Sequence, residues 1–139
     1  MMKLFYTENP SNDEESVLID GLSREALKAK NLSKIETFGF FLKDREAVVY
    51  GGIKGAMFYG CLYIDSLYVT PSLRGKGWGK QLVEASEQLG LEKGCLFISV
   101  TTMDWEALPF YQKLGYEIEY VRGGYEKDSK MFLLRKVLV

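Results

Sequence analysis

Gly75, Gly77 and Gly79 stand at every second position within residues 70–82, interleaved with Arg74, Lys76 and Lys80. They join an apolar, aromatic run at residues 58–69 to an amphipathic run that starts at Leu82. That order constrains the fold more than any other stretch of the chain. The apolar run suits a central strand buried on both faces, and Pro71 ends it. Leu82, Ala85, Ser86 and Leu89 then recur on one helical face until Gly94 stops the helix. Between strand and helix, the glycines let main chain approach a bulky anion with no Cβ in the way. The helix start adds unpaired N–H groups and the positive end of its dipole, and the basic side chains add charge around the same point. The segment is therefore expected to bind a pyrophosphate.

Two common phosphate loops do not fit. A nucleoside triphosphate loop needs four residues between its first glycine and its Gly-Lys pair, then Ser or Thr for magnesium; Gly75 and Gly79-Lys80 enclose three, and Gln81 follows. The dinucleotide fingerprint would put its third glycine at Lys80 or Leu82. What remains is Arg-x-x-Gly-x-Gly, from Arg74 to Gly79, after a strand and before a helix.

The rest of the chain reads as one α/β domain over residues 1–139. With 139 residues and 47% hydrophobic content it has enough material for one core. Residues 3–8 read as a first strand. Ser11 or Asn12 can cap a helix whose Leu18, Ile19, Leu22 and Ala26 would pack on a sheet. Residues 36–42 and 47–53 read as a hairpin, with Gly51, Gly52 and Gly55 marking the end of its second arm. After the glycine loop and its helix, residues 95–100 form a short buried strand. Asp104 caps a helix through Lys113, with Pro109 bending its first turns, and Gly115 closes it. Residues 116–121 and 131–137 are two final antiparallel strands joined by the charged segment 122–130. Strands before and after two crossing helices imply a mixed sheet.

Eighteen basic against nineteen acidic residues leave a net charge of −1, so nothing global points to nucleic acid or an anionic membrane as partner. No apolar run is long enough to span a bilayer and the N-terminal segment is too short for a signal peptide, which leads us to expect a cytoplasmic protein. Cys61 and Cys95 lie in apolar runs without the paired spacing of a metal or redox site, and there is no histidine; buried free thiols and no metal are expected.

Residues 64–81 resemble the coenzyme A-binding motif of the GNAT superfamily of N-acetyltransferases. A second stretch, residues 107–117 with Ala107, Phe110-Tyr111 and Gly115, resembles that superfamily's other signature. The interval between the two has room for the helix and strand that the family places there. The resemblance covers about the second half of the chain. It implies a single GNAT-like domain with a mixed, mostly antiparallel central sheet flanked by helices. It also implies acetyl-CoA as cosubstrate and a primary amine of a small molecule or peptide as acceptor.

Acetyl transfer to an amine sets the chemistry to look for. A lysine-like ammonium, with a pKa of about 10.4, must lose a proton before or during attack on the thioester. With no histidine, a carboxylate acting through water is the expected base. Asp65 is the first candidate, because burial among Ile64, Leu67 and Tyr68 would raise its pKa; the competing reading is that it only holds the strand's geometry at a bulge or in an ion pair. The departing thiolate needs a proton, and a phenol with a reference pKa of roughly 10 is a fitting donor. The resemblance assigns that tyrosine to Tyr111, against a packing role for the same ring. It also assigns the backbone of Leu67, Tyr68 and Val69 to the pantetheine arm, bonded as an added strand. Arg74, Gly75, Lys76, Gly77, Trp78, Gly79 and Lys80 fall to the pyrophosphate. Trp78 departs from the family's small aliphatic residue and either packs helix on sheet or stacks on adenine. Asp104 stands where the family has asparagine, which leaves its contact to the cofactor open.

Besides the enzyme, two readings stay open: a non-catalytic acyl-coenzyme A sensor or interaction module, and a binder of another pyrophosphate ligand. By resemblance the acceptor site draws on the first helix, the loop after it and the last hairpin, where Glu36, Tyr120, Tyr125 and Glu126 offer anionic or aromatic surface. A homodimer through the C-terminal strands is also left open.

Overall fold

The computed structural model describes residues 1–139 and divides them into two compact units, residues 1–35 and 36–139. In the first, α1 (Asn12–Lys30) is the one regular element. Its start is closed by a reciprocal capping box: the Ser11 hydroxyl accepts from the Glu14 amide at 3.0 Å, and the Ser11 amide donates to the Glu14 carboxylate at 2.8 Å. Asn31, in the left-handed conformation at φ 55°, ends it. The helix is where the sequence places it, but none of its residues is buried. Caps and acids at its positive end hold it rather than an apolar face, and Leu18 and Leu22 are exposed. Residues 3–8 form no strand, since no neighbouring strand pairs with their backbone.

The second unit is a six-stranded sheet in the order β1-β2-β3-β4-β6-β5. β1 (Glu36–Lys43), β2 (Val49–Phe58) and β3 (Cys61–Val69) form an antiparallel meander. α2 (Trp78–Glu92) crosses back to β4 (Phe97–Met103), which lies parallel to β3. α3 (Leu108–Lys113) leads to β5 (Glu117–Tyr125), and β6 (Ser129–Val137) inserts antiparallel between β4 and β5. The sheet is thus mixed and mostly antiparallel, as read. Its core gathers Ile53, Leu62, Ile64, Ile98, Val100 and Leu134 with Leu82 and Val83 of α2. Of the expected face of α2, Leu82 and Ser86 are buried, Leu89 packs against the core and Ala85 is half-buried; Val83 and Gly90 are buried beside them. No helix is long and apolar enough to cross a membrane.

Three further corrections concern tight contacts. The apolar run 58–69 is not one strand. Tyr59 and Gly60, both at positive φ, make a two-residue turn that ends β2 and starts β3. Gly51, Gly52 and Gly55 lie inside β2 instead of ending it. A Cβ at Gly51 would come within 2.6 Å of the Tyr68 carbonyl oxygen, and one at Gly55 would run into the Tyr63 carbonyl. Close approach of β3 therefore selects glycine at both. Finally, Asp104 does not cap α3, which starts later, after a turn. Pro109 sits in its first turn, where the missing N–H removes no helical bond.

Candidate active site

Parallel pairing of β3 with β4 begins at Cys61–Phe97 and stops at Ile64–Val100. One residue further on, the register of β3 against β2 shifts, with Lys54 opposite Ser66 and Gly55 opposite Ile64, so that Asp65 is the extra residue of a bulge. Beyond it β3 follows β2 to Val69 while β4 follows β6 to Met103. The two strands part and leave a cleft of about 950 Å³ between them. Its walls are residues 64–69 of β3 and 100–103 of β4; the glycine loop, the start of α2, residues 105–107 ahead of α3, α3 itself, Tyr125 and Met131 complete the lining. The volume lies within the range of small-molecule and cofactor sites.

One end of the cleft is lined by the glycine turn and the start of α2. Gly75 and Gly77 adopt φ of 74° and 86°, conformations open to glycine, and a Cβ on either would meet nothing within 4 Å. Gly77 is the N-cap of α2, and no side chain caps that helix; its first turn carries no acid and includes Lys80. The contrast with α1, whose N-terminal amides are closed by Ser11 and Glu14, is direct. Amides of Trp78, Gly79 and Lys80 remain free to donate. Gly79 has a different reason: its Cβ would press on the Phe110 ring at 3.3 Å, so the third glycine seats α2 against the Phe-Tyr motif. The two sequence motifs thus meet across the cleft.

Of the basic residues, Arg74 and Lys80 line the cleft and Lys76 does not. Arg74 folds back, its Nε donating to the Val69 carbonyl at 2.7 Å and its guanidinium lying 5.4 Å from the Tyr68 ring centre. That bond occupies the Val69 carbonyl; the Tyr68 carbonyl faces Gly51 of β2, so Leu67, two residues before Val69, is the strand position whose backbone is open to a ligand. Trp78 lines the cleft at 37% exposure, whereas Asp104 is not part of the lining.

Tyr111 is 3% exposed and lines the cleft. Its ring packs edge-on against Phe110 at 5.1 Å and Tyr116 at 5.5 Å. Burial pushes its phenol well above the usual value near 10, and the Glu106 carboxylate adds to the rise. The Tyr116 hydroxyl donates to Glu87 at 2.9 Å, and Glu87 is held in turn by Lys136 at 3.1 Å, which fixes the ring behind Tyr111.

Asp65 lines the cleft but is not buried as expected. Its side chain is half exposed and pairs with Lys54 at 2.9 Å, because the bulge turns it out of the sheet's packed face. The sequence reading missed Glu106, Trp105 and Tyr125 as cleft residues. Of these, the sequence points to Tyr125 only as acceptor surface. Glu106 accepts from the Met103 amide at 2.8 Å and thereby shapes the turn before α3. Its place between a buried strand and the Phe-Tyr helix was the one signal available.

Comparison with known proteins agrees with this geometry. The profile of the family described as "Acetyltransferase (GNAT) family" matches residues 3–116. Blasticidin-S acetyltransferase of Streptomyces morookaense is 31% identical over 129 residues, spanning 91% of this chain and 93% of the relative. Among solved structures, an acetyltransferase from Bacillus cereus superposes with a TM-score of 0.76 at 26% identity, covering 96% of this chain and 97% of that one. A chain from Bacillus anthracis solved in complex with acetyl coenzyme A shares the fold at a TM-score of 0.65 and 19% identity, covering 73% and 62% of the two chains.

Proposed function

Because this chain belongs to the acetyltransferase (GNAT) family and is an acyltransferase, we propose that it moves an acetyl group directly from acetyl coenzyme A to a primary amine of a small molecule or peptide, as one domain over residues 1–139. The observation that carries the reading is the parting of β3 from β4 above an uncapped helix N-terminus, with a buried tyrosine on the opposite wall. The donor set fits the cosubstrate. Free amides and Lys80 suit a diphosphate, and the unpaired edge of β3 at Leu67 suits an amide-bearing arm. The fold neighbour solved with acetyl coenzyme A supports the same choice.

In the reaction, the amine nitrogen forms a bond to the thioester carbonyl carbon, the carbon–sulfur bond breaks, and the sulfur leaves with the electron pair. Tyr111 gives that sulfur its proton. Its raised pKa keeps the phenol protonated at neutral pH, and the same desolvated wall makes the thiolate more basic than in water. Asp65 takes the proton from the acceptor ammonium through water. The carboxylates on the cleft are Asp65 and Glu106, and Glu106 already has one oxygen committed to the Met103 amide. Direct transfer is supported by the cysteines, since Cys61 and Cys95 are buried and line no part of the cleft. Release of free thiol from acetyl coenzyme A with a panel of primary amines is the test. Amine-dependent release supports transfer, and tight coenzyme A binding without release across the panel would reduce the cleft to a binding site.

A further inference from the structure

β2 brings a lysine to the cleft from outside its lining. Lys54 lies opposite Ser66 where the register of β2 against β3 shifts, one residue from Asp65. Its Nζ reaches the Asp65 carboxylate at 2.9 Å, and Asp65 lines the cleft. Lys93 and Lys136 also form ion pairs, but with Glu36 and Glu87, neither of which lines the cleft. Lys80 lines it beside the glycine turn, where a diphosphate would hold its charge. Lys54 is therefore the lysine whose ammonium touches a carboxylate of the cleft. Its side chain is 59% exposed, so water screens the pair and the flexible four-carbon stem swings at little cost. A second cavity of about 360 Å³ adjoins, sharing Ser66 and Tyr68 with the cleft and lined also by Lys54, Phe41 and Val49. An ammonium gains little from such apolar walls, whereas a neutral acetamide suits them.

We propose that Lys54 is an acetyl acceptor of this chain's own cleft, an intramolecular modification site that rests on the acetyl-transfer reading above. Asp65 takes one proton from the Lys54 ammonium and passes it to solvent. Nζ forms a bond to the thioester carbonyl carbon, the carbon–sulfur bond breaks, and the sulfur leaves with the electron pair and takes the Tyr111 proton. The nitrogen's second proton restores the tyrosine, so N-acetyllysine, free coenzyme A and one proton are the net products. Acetylation removes the charge that holds Asp65. The carboxylate is then free for the ammonium of an external acceptor, and the acetamide turns into the second cavity.

Incubating the purified full chain with acetyl coenzyme A and no amine, then mapping its peptides by mass spectrometry, tests this. Lys54 is expected to gain an acetyl group at a rate independent of protein concentration, at least about tenfold faster than the exposed Lys43 and Lys127. Tyr111→Phe and Asp65→Asn are each expected to slow labelling of Lys54 at least about tenfold and to leave Lys43 and Lys127 unchanged. Lys54→Arg, which keeps a cation beside Asp65, is expected to abolish the fast labelling while binding coenzyme A within about twofold of wild type. Labelling of Lys54 no faster than of Lys43 and Lys127, a rate that both cleft variants leave unchanged, or one that rises with protein concentration would overturn it. Amine-dependent thiol release on the same preparation separates the two readings: release without Lys54 labelling defeats this proposal alone, and absence of both defeats acetyl transfer as well.

Discussion

Gly77→Asp separates the anion site from the fold that carries it. Gly77 sits at φ 86°, ψ 4° as the N-cap of α2, and a Cβ there meets no atom within 4 Å. Left-handed backbone penalises a side chain by roughly 1–2 kcal/mol, least for Asn and Asp. An aspartate at an N-cap gains only a few tenths of a kcal/mol over glycine through its bond to the first-turn amides. The net loss is about 1 kcal/mol, so the melting temperature is expected to fall by only a few degrees. Binding is different. A carboxylate about 5 Å from a diphosphate charge, at an effective dielectric of roughly 20–40, opposes it by about 2–3 kcal/mol, or roughly 30- to 150-fold in Kd. It also competes for the amides of Trp78, Gly79 and Lys80. Gly77→Asn keeps the shape without the charge and is expected to weaken binding only a few-fold. Calorimetry with coenzyme A at low and raised salt measures the gap, which narrows as salt screens it. If the aspartate variant binds as the wild type does, the glycine turn does not hold the diphosphate. If asparagine is as damaging as aspartate, shape and not charge governs the site.

Tyr111→Phe is expected to lower kcat about a hundredfold and leave the coenzyme A Kd within about twofold, since it removes the proton and keeps the ring; steady-state kinetics and calorimetry together check the split, and an unchanged kcat would return Tyr111 to packing. Gly55→Ala, whose methyl would run into the Tyr63 carbonyl, is expected to destabilise by about 3 kcal/mol in urea unfolding, while Gly123→Ala, with nothing within 4 Å, stays within about 0.5 kcal/mol. Burial, with the neighbouring Cys95 adding to it, raises the Cys61 thiol from 9.0 to about 11. Its contribution to stability is therefore complete below pH 9 and is lost as pH rises through about 11. Urea midpoints across that window should fall more steeply for the wild type than for Cys61→Ala.

Local signals carried much of this protein. The capping of α1, the glycine turn ahead of α2, the stop at Gly94 and the Phe-Tyr helix each depend on a few neighbouring residues, whose backbone preferences act without the rest of the chain. The mixed sheet followed from the order of strands and helices, and the pairing of the two motifs pointed to the family that the comparisons show. Contacts between distant segments were beyond that reach. The glycines inside β2 read as a strand end because the Tyr68 and Tyr63 carbonyls that exclude a Cβ lie on another strand. Asp65 read as buried because a bulge is a property of register between β2 and β3, and one extra residue redirects a side chain that sequence alternation would turn inward. Likewise, Lys76 and Lys80 are equivalent as letters, and only the turn of α2 brings one of them to the cleft. The amino-acid order thus determined the glycine turn and the uncapped start of α2 that follows it. Tertiary structure decided where the cleft opens, because the parting of β3 from β4 requires each strand to prefer a different neighbour.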